Sequence, residues 1–246
     1  MIPFLLLLQA TAGPVSPVEE RFGRCVALAR SAPEQAVADA ETFRLAGGGW
    51  RARQCAGIAQ AALGRFTSAA SEFEAGARDA EVAKAADAAR LWAQAGNAWL
   101  AAGEASKARV ALDAALAAGT LTGLALGEAH LDRARALVAT GDLAPARTEI
   151  DAALTTAAAD PLTWLLSATL ARRQNELPRA SKDIAEALRR SADDATVQLE
   201  AGNIAAMRRD EAGARDHWTR AATIAPGTPA ATAAREALAQ FDAPAP

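Results

Sequence analysis

AGIAQAALGRFTSAASEFEAG, residues 56–76, decides how the chain is read. Gly57 is followed twelve residues on by Ala69, four further by Phe73 and three beyond that by Gly76. Steps of four and three return a helix to the same face, so Ala69, Phe73 and Gly76 form one stripe. Between Gly57 and that stripe stands Leu63-Gly64-Arg65, where glycine supplies the left-handed backbone that closes a helix. The segment predicts a helix, a tight turn and a second helix.

The same four positions recur along the chain. The small residue returns at Gly96, Ala134, Ala168 and Gly202, and the alanine at Ala108, Ala146, Ala180 and Ala214. The large apolar residue returns as Leu112, Ile150, Ile184 and Trp218, and the second small residue as Ala115, Ala153, Ala187 and Ala221. Rows are 39, 38, 34 and 34 residues apart. Alanine is abundant, 71 of 246 residues, but abundance cannot fill the large column. Turn signals sit in register at Ala102-Gly103-Glu104, Thr140-Gly141-Asp142, Gln174-Asn175-Glu176 and Arg209-Asp210. Small residues let helix axes approach to about 8 Å, and the large residue fills the groove that remains. A lone hairpin buries one side only, so the hairpins must stack. The longer early steps predict extended helices or loops around residues 77–90 and 117–126. The expected fold class is all-α, a helical-hairpin solenoid; long Val/Ile/Thr-rich runs are missing and only 4% of residues are aromatic.

On these strings, and on Ala62-Leu63-Gly64-Arg65-Phe66 and Gly202-Asn203-Ile204-Ala205 with Pro226, the chain resembles the tetratricopeptide-repeat (TPR) proteins, whose unit is about 34 residues of helix-turn-helix. Trp92 and Trp164 stand four residues before their small residues, as the family's Trp does. The family's mid-helix Tyr is replaced by Gln60, Trp99, Leu137, Ala171 and Ala205. A weaker first copy covers 19–46, with Ala36, Ala40 and Phe43 but Arg24 in the small slot. The predicted organisation is a TPR-like solenoid of about six hairpins over 19–241, including a capping helix at 229–241. Thr228-Pro229 reads as its N-cap and first helical residue. Residues 242–246 read as a disordered tail.

The chain opens MIPFLLLLQATAG. Residues 1–12 have the layout of a signal peptide with cleavage after Ala12, although no basic residue precedes the apolar run. The run is too short to span a bilayer, for which a helix needs about 20 residues. Residues 13–18 read as a linker. Export places the chain in an oxidising compartment, where Cys25 and Cys55, its two cysteines, can form a disulfide; the other reading is two small buried thiols.

Little in the sequence carries chemistry. The net charge is -3 and no basic block stands out, which disfavours a nucleic-acid partner. His130 and His217 are the two histidines and fall in different repeats, so neither a metal site nor a cofactor is expected. Gly47-Gly48-Gly49 lacks the preceding strand and following Lys of a phosphate loop and reads as a flexible connector. No serine lies in a nucleophile elbow, so no catalytic residues are assigned. The five tryptophans read chiefly as core.

The family resemblance implies a groove lined by the first helices, faced by the residue after each small slot: Ile58, Asn97, Arg135, Thr169 and Asn203, with Arg172 or Arg173 adding charge from the next turn. Asn97 and Asn203 suit a peptide backbone, and Arg135 a carboxylate. The expected function is a non-catalytic scaffold that binds a protein or peptide in the periplasm of a Gram-negative bacterium, without a stable membrane span. The alternative is a cytosolic regulatory or cochaperone-like adaptor whose start codon is misplaced. An enzyme built on helical hairpins needs carboxylates or histidines clustered in the groove columns, and none is present.

Overall fold

The computed structural model describes residues 16–242. They form thirteen helices: α1 (Pro17–Ser31), α2 (Pro33–Leu45), α3 (Gly49–Ala62), α4 (Phe66–Val82), α5 (Ala88–Ala101), α6 (Ala105–Ala117), α7 (Gly123–Thr140), α8 (Leu143–Thr156), α9 (Pro161–Arg173), α10 (Leu177–Arg190), α11 (Ala195–Met207), α12 (Glu211–Ile224) and α13 (Pro229–Asp242). Successive pairs from α1/α2 to α11/α12 make six hairpins, and α13 packs on α12 and α11. No strand is present among the described residues.

The turns form as their residues dictate. Gly64, Gly103 and Gly141 have φ of 71°, 78° and 90°, and Asn175 has 61°. Arg209 takes the same left-handed conformation, φ 64°, at the fifth turn although it carries a Cβ. The long early steps are absorbed by the extra turn of α4, by residues 83–87 and 118–122, and by the 18 residues of α7.

Packing follows the repeated columns. Ala69, Ala108, Ala146, Ala180 and Ala214 are fully buried. Phe73, Leu112, Ile150, Ile184 and Trp218 are all buried, 0–6% exposed. Each lies against the small residue sixteen positions earlier. A Cβ added to Gly57 would meet the Phe73 ring at 2.6 Å, and one on Gly96 or Gly202 would press equally hard on Leu112 or Trp218. Where the large residue is Ile, at Ile150 and Ile184, the small slot is Ala. Glycine stands opposite Phe, Leu and Trp.

The first hairpin departs from this rule. Arg24, in the small slot, is exposed and pairs with Glu20 at 2.7 Å on its own helix. Cys25 faces inward instead and is disulfide-bonded to Cys55 of α3. The two sulfurs pack on Ala40, which stands where later repeats have their large residue. A covalent link thus ties α1 to α3 where the apolar plug is missing.

Three boundaries need correction. Residues 13–18 are not all linker, because α1 begins at Pro17: the Ser16 hydroxyl accepts from the Glu19 N–H at 3.2 Å, and Pro17 lacks an N–H that would need a partner. The last helix includes Asp242, the first residue of the expected tail. Gly47-Gly48-Gly49 is a packed corner rather than a flexible connector. Gly47 and Gly49 are left-handed, and the Phe43 ring lies against Gly48 so closely that a Cβ would meet it at 2.5 Å. The proposed signal peptide, residues 1–12, and residues 243–246 of the tail lie outside the described residues.

Two outcomes are expected. Gly96→Ala should cost 1–3 kcal/mol of unfolding free energy, because the new Cβ displaces Leu112; adding Leu112→Ile, the Ala–Ile combination used by the fourth and fifth hairpins, should recover much of the loss in urea melts. Reducing Cys25–Cys55, which closes a 30-residue separation, should cost about 3.6 kcal/mol by loop-closure entropy. Hydrogen exchange should show that loss concentrated in α1 and α2.

Candidate functional site: clefts along the first helices

The first helices of the hairpins do not pack uniformly. α1 lies on α3, α5 on α7, and α9 on α11, whereas α3 and α5, and likewise α7 and α9, make little direct contact. A cleft opens at each of these partings.

The larger cleft has a volume of about 820 Å³ and runs from α3 across α5 and α7 to the start of α9. Ile58, Phe66, Leu121, Leu124 and Leu162 line it. Leu124 and Leu162 are 57% and 43% exposed, an unusual state for large aliphatic side chains that converge on one concavity. Arg90, Glu128, Asp132, Arg135 and Asp160 supply mixed charge around them. Asn97 Nδ2–H donates to Asp132 Oδ2 at 2.8 Å, and Arg135 Nη1–H donates to Asp132 Oδ1 at 2.8 Å. One carboxylate therefore sets the orientation of both candidates. Sequence reasoning missed Asp132; its position three residues before Arg135 on α7 was the available signal.

The smaller cleft, about 390 Å³, lies between α7 and α9. Its walls are Val138, Ala139, Leu166 and Leu170, and it reaches Ile150 in the second layer. Thr169 lines it, and its charged residues are Arg135 and Arg173.

The remaining candidates are engaged elsewhere. Arg172 Nε–H and Nη2–H donate to the two oxygens of Glu200 at 2.6 and 3.1 Å, joining α9 to α11. Asn203 Oδ1 accepts from Trp218 Nε1–H at 3.0 Å while its amide donates to Glu200 at 3.4 Å. Both line neither cleft and are corrected from groove contacts to packing residues: Glu200, only 6% exposed, is held by the Arg172 guanidinium and the Asn203 amide, and the buried indole N–H needs an acceptor.

No protein-family model matches the sequence, and no curated protein does. Solved structures do. The chain is similar to Pseudomonas aeruginosa PilF, at 15% identity and TM-score 0.72 over 92% of this chain and all of that one. It is equally similar to PilW, described as a widely conserved type IV pilus biogenesis factor, at 15% identity and TM-score 0.74 over 89% of this chain and 98% of that one. YrrB, described as a TPR protein with an unusual peptide-binding site, aligns at 17% identity and TM-score 0.56 over 75% and 91%. The chain has the TPR fold.

Within that fold the slot of the family's Trp, four residues before each small residue, is chemically informative. It holds Arg53, Trp92, His130, Trp164 and Gln198. Where it is polar, it bonds to the residue nineteen positions later: Arg53 to Glu72 at 3.4 Å, His130 Nδ1 to Glu149 at 2.7 Å, and Gln198 Oε1 to His217 Nδ1 at 2.7 Å. Trp164 and Gln198 also reach back six residues to a loop carbonyl, Nε1–H to Ala158 at 2.8 Å and Nε2–H to Ala192 at 2.6 Å. Both histidines thus serve inter-helix packing in TPR positions. The next TPR junction is also polar. Arg147 of α8 donates to the Ser167 hydroxyl and carbonyl of α9 at 2.8 and 3.2 Å, and Ser167 donates to the buried carboxylate of Asp183 at 2.5 Å. Burial pulls the Arg147 guanidinium below its ordinary pKa. Nothing in the sequence pattern singled out this network. Among the described residues no cluster of three His, Cys, Asp or Glu is arranged to hold a metal, and no helix is long and apolar enough to cross a membrane.

His217 gives a pH-dependent outcome. Burial is the largest influence and holds its pKa below 6.5, against the opposing pull of Asp216. Gln198 Nε2 is committed as donor, so Oε1 accepts and the neutral imidazole donates from Nδ1. The unfolded chain binds the proton more readily, so stability is retained above pH 6.5 and lost as pH falls from there through the folded-state value. Urea midpoints of the wild type should drop more between pH 7.5 and 5 than those of His217→Gln.

Proposed function

We propose that the protein is a non-catalytic scaffold that holds a segment of another protein in the larger cleft. One observation carries this reading: Leu124, Leu162 and Phe66, each more than a third exposed, converge on a single concavity beside the Asn97–Asp132–Arg135 polar row. An amphipathic helix or extended strand is recognised in this way, by apolar anchors flanked by oriented hydrogen-bonding groups. The stacked repeats hold these groups in place before the partner arrives, which lowers the ordering cost of binding. YrrB, a chain with this fold, is described as having an unusual peptide-binding site. We place the scaffold in the periplasm of a Gram-negative bacterium; the signal-like N-terminus and the Cys25–Cys55 disulfide support that location.

A photo-crosslinking residue placed at Leu124 or Leu162 in the native host should yield adducts of discrete mass, while one at Val110, exposed on α6 away from both clefts, should not. Leu124→Asp should weaken capture of the same partner by tenfold or more. Adducts of equal yield at Val110 would refute the groove reading. Intact mass of the host-purified protein tests the location: cleavage after Ala12 supports export, and a retained Met1 in the cytosol favours the regulatory adaptor.

A further inference from the structure

The smaller cleft has a chemical character that the larger one lacks. Its walls are aliphatic, its floor is a residue of the second helix layer, and its rim carries two guanidinium groups and no carboxylate. Arg173 is exposed and has no hydrogen-bond or ion-pair partner among the described residues. Arg135 is tied only to Asp132 three residues back, leaving the rest of its donor fork free toward the cleft. An apolar hole beside one unpaired arginine, Arg173, and a second, Arg135, with spare donors is matched by a large apolar side chain carrying a negative charge close by; a basic or neutral polar segment would leave the Arg173 charge unanswered. Arg135 lines both clefts and so joins one to the other.

Resting on the scaffold reading above, we infer that the α7–α9 cleft is the specificity pocket of the groove. It selects partner segments in which a Leu, Ile, Phe or Met is followed or preceded within two residues by Asp or Glu. The apolar side chain enters between Val138 and Leu166 toward Ile150, and the carboxylate lies between Arg135 and Arg173. The larger cleft then supplies affinity, and the smaller one the choice of partner and its register.

The test is selection of a random dodecapeptide library on the oxidised full-length chain, followed by fluorescence anisotropy of the enriched peptides. Enriched sequences should pair an acidic residue with a large apolar one. Arg173→Glu, at an exposed position without a partner, should weaken them tenfold or more and shift a fresh selection toward Lys or Arg. Ala139→Trp, at an exposed lining position, should block the cleft and produce a similar loss; circular dichroism checks that both variants remain helical. Enriched peptides without acidic bias, or affinities unchanged by Arg173→Glu, would overturn the inference. If peptides bind and only Leu124→Asp removes them, the pocket assignment fails while the scaffold stands. If no peptide is enriched on any form, both fail.

Discussion

Close approach of the two helices of each hairpin, through one small residue opposite one large one, is the contact on which the rest of the molecule depends. Gly57, Gly96 and Gly202 leave no room even for a methyl group against Phe73, Leu112 and Trp218. Interiors are packed so densely that such a match admits few alternatives in register. Because each pair sits at the same place in its hairpin, every unit presents the same side to its neighbour. The groove is a consequence of that repetition. First helices part between α3 and α5 and between α7 and α9, and the two clefts include these partings, the larger one extending across α5 and α7.

The departures from the repeat lie at places where apolar packing alone is insufficient. In the first hairpin Ala40 is too small to act as plug, and the Cys25–Cys55 bond supplies the connection. At the α8–α9 junction the link is carried by Arg147, Ser167 and Asp183, and at α9–α11 by Arg172 and Glu200. Removing one partner from such a buried set strands the other without solvent, so these residues are tied to stability however well they suit a groove by position.

The chemical contrast between the two clefts follows from the same architecture. Successive first helices contribute one residue each per layer, so neighbouring positions need not balance in charge. Asp132 neutralises Arg135 and accepts from the Asn97 amide in the larger cleft. No acid plays that part beside Arg173, and α9 brings it next to aliphatic walls whose sequence positions lie on two helices and a third beneath them.

Much of the fold was legible from residues alone. The stripe Ala69, Phe73 and Gly76 and its four later copies required helical hairpins, and the glycines and Asn175 marked the turns, because helix periodicity and left-handed backbone preference are local properties. Asn97, Arg135 and Arg173 were named from the family resemblance; the structure sets the first two around Asp132 and places Arg173 at the smaller cleft. The fates of Arg172 and Asn203 were not legible. Their partners, Glu200 and Trp218, lie 28 and 15 residues away, and no periodicity states which of two equally exposed-looking polar groups another helix will engage. Which first helices separate, and so where the clefts lie, was likewise decided only by tertiary structure, because it depends on summed side-chain volumes across hairpin junctions rather than on any one residue.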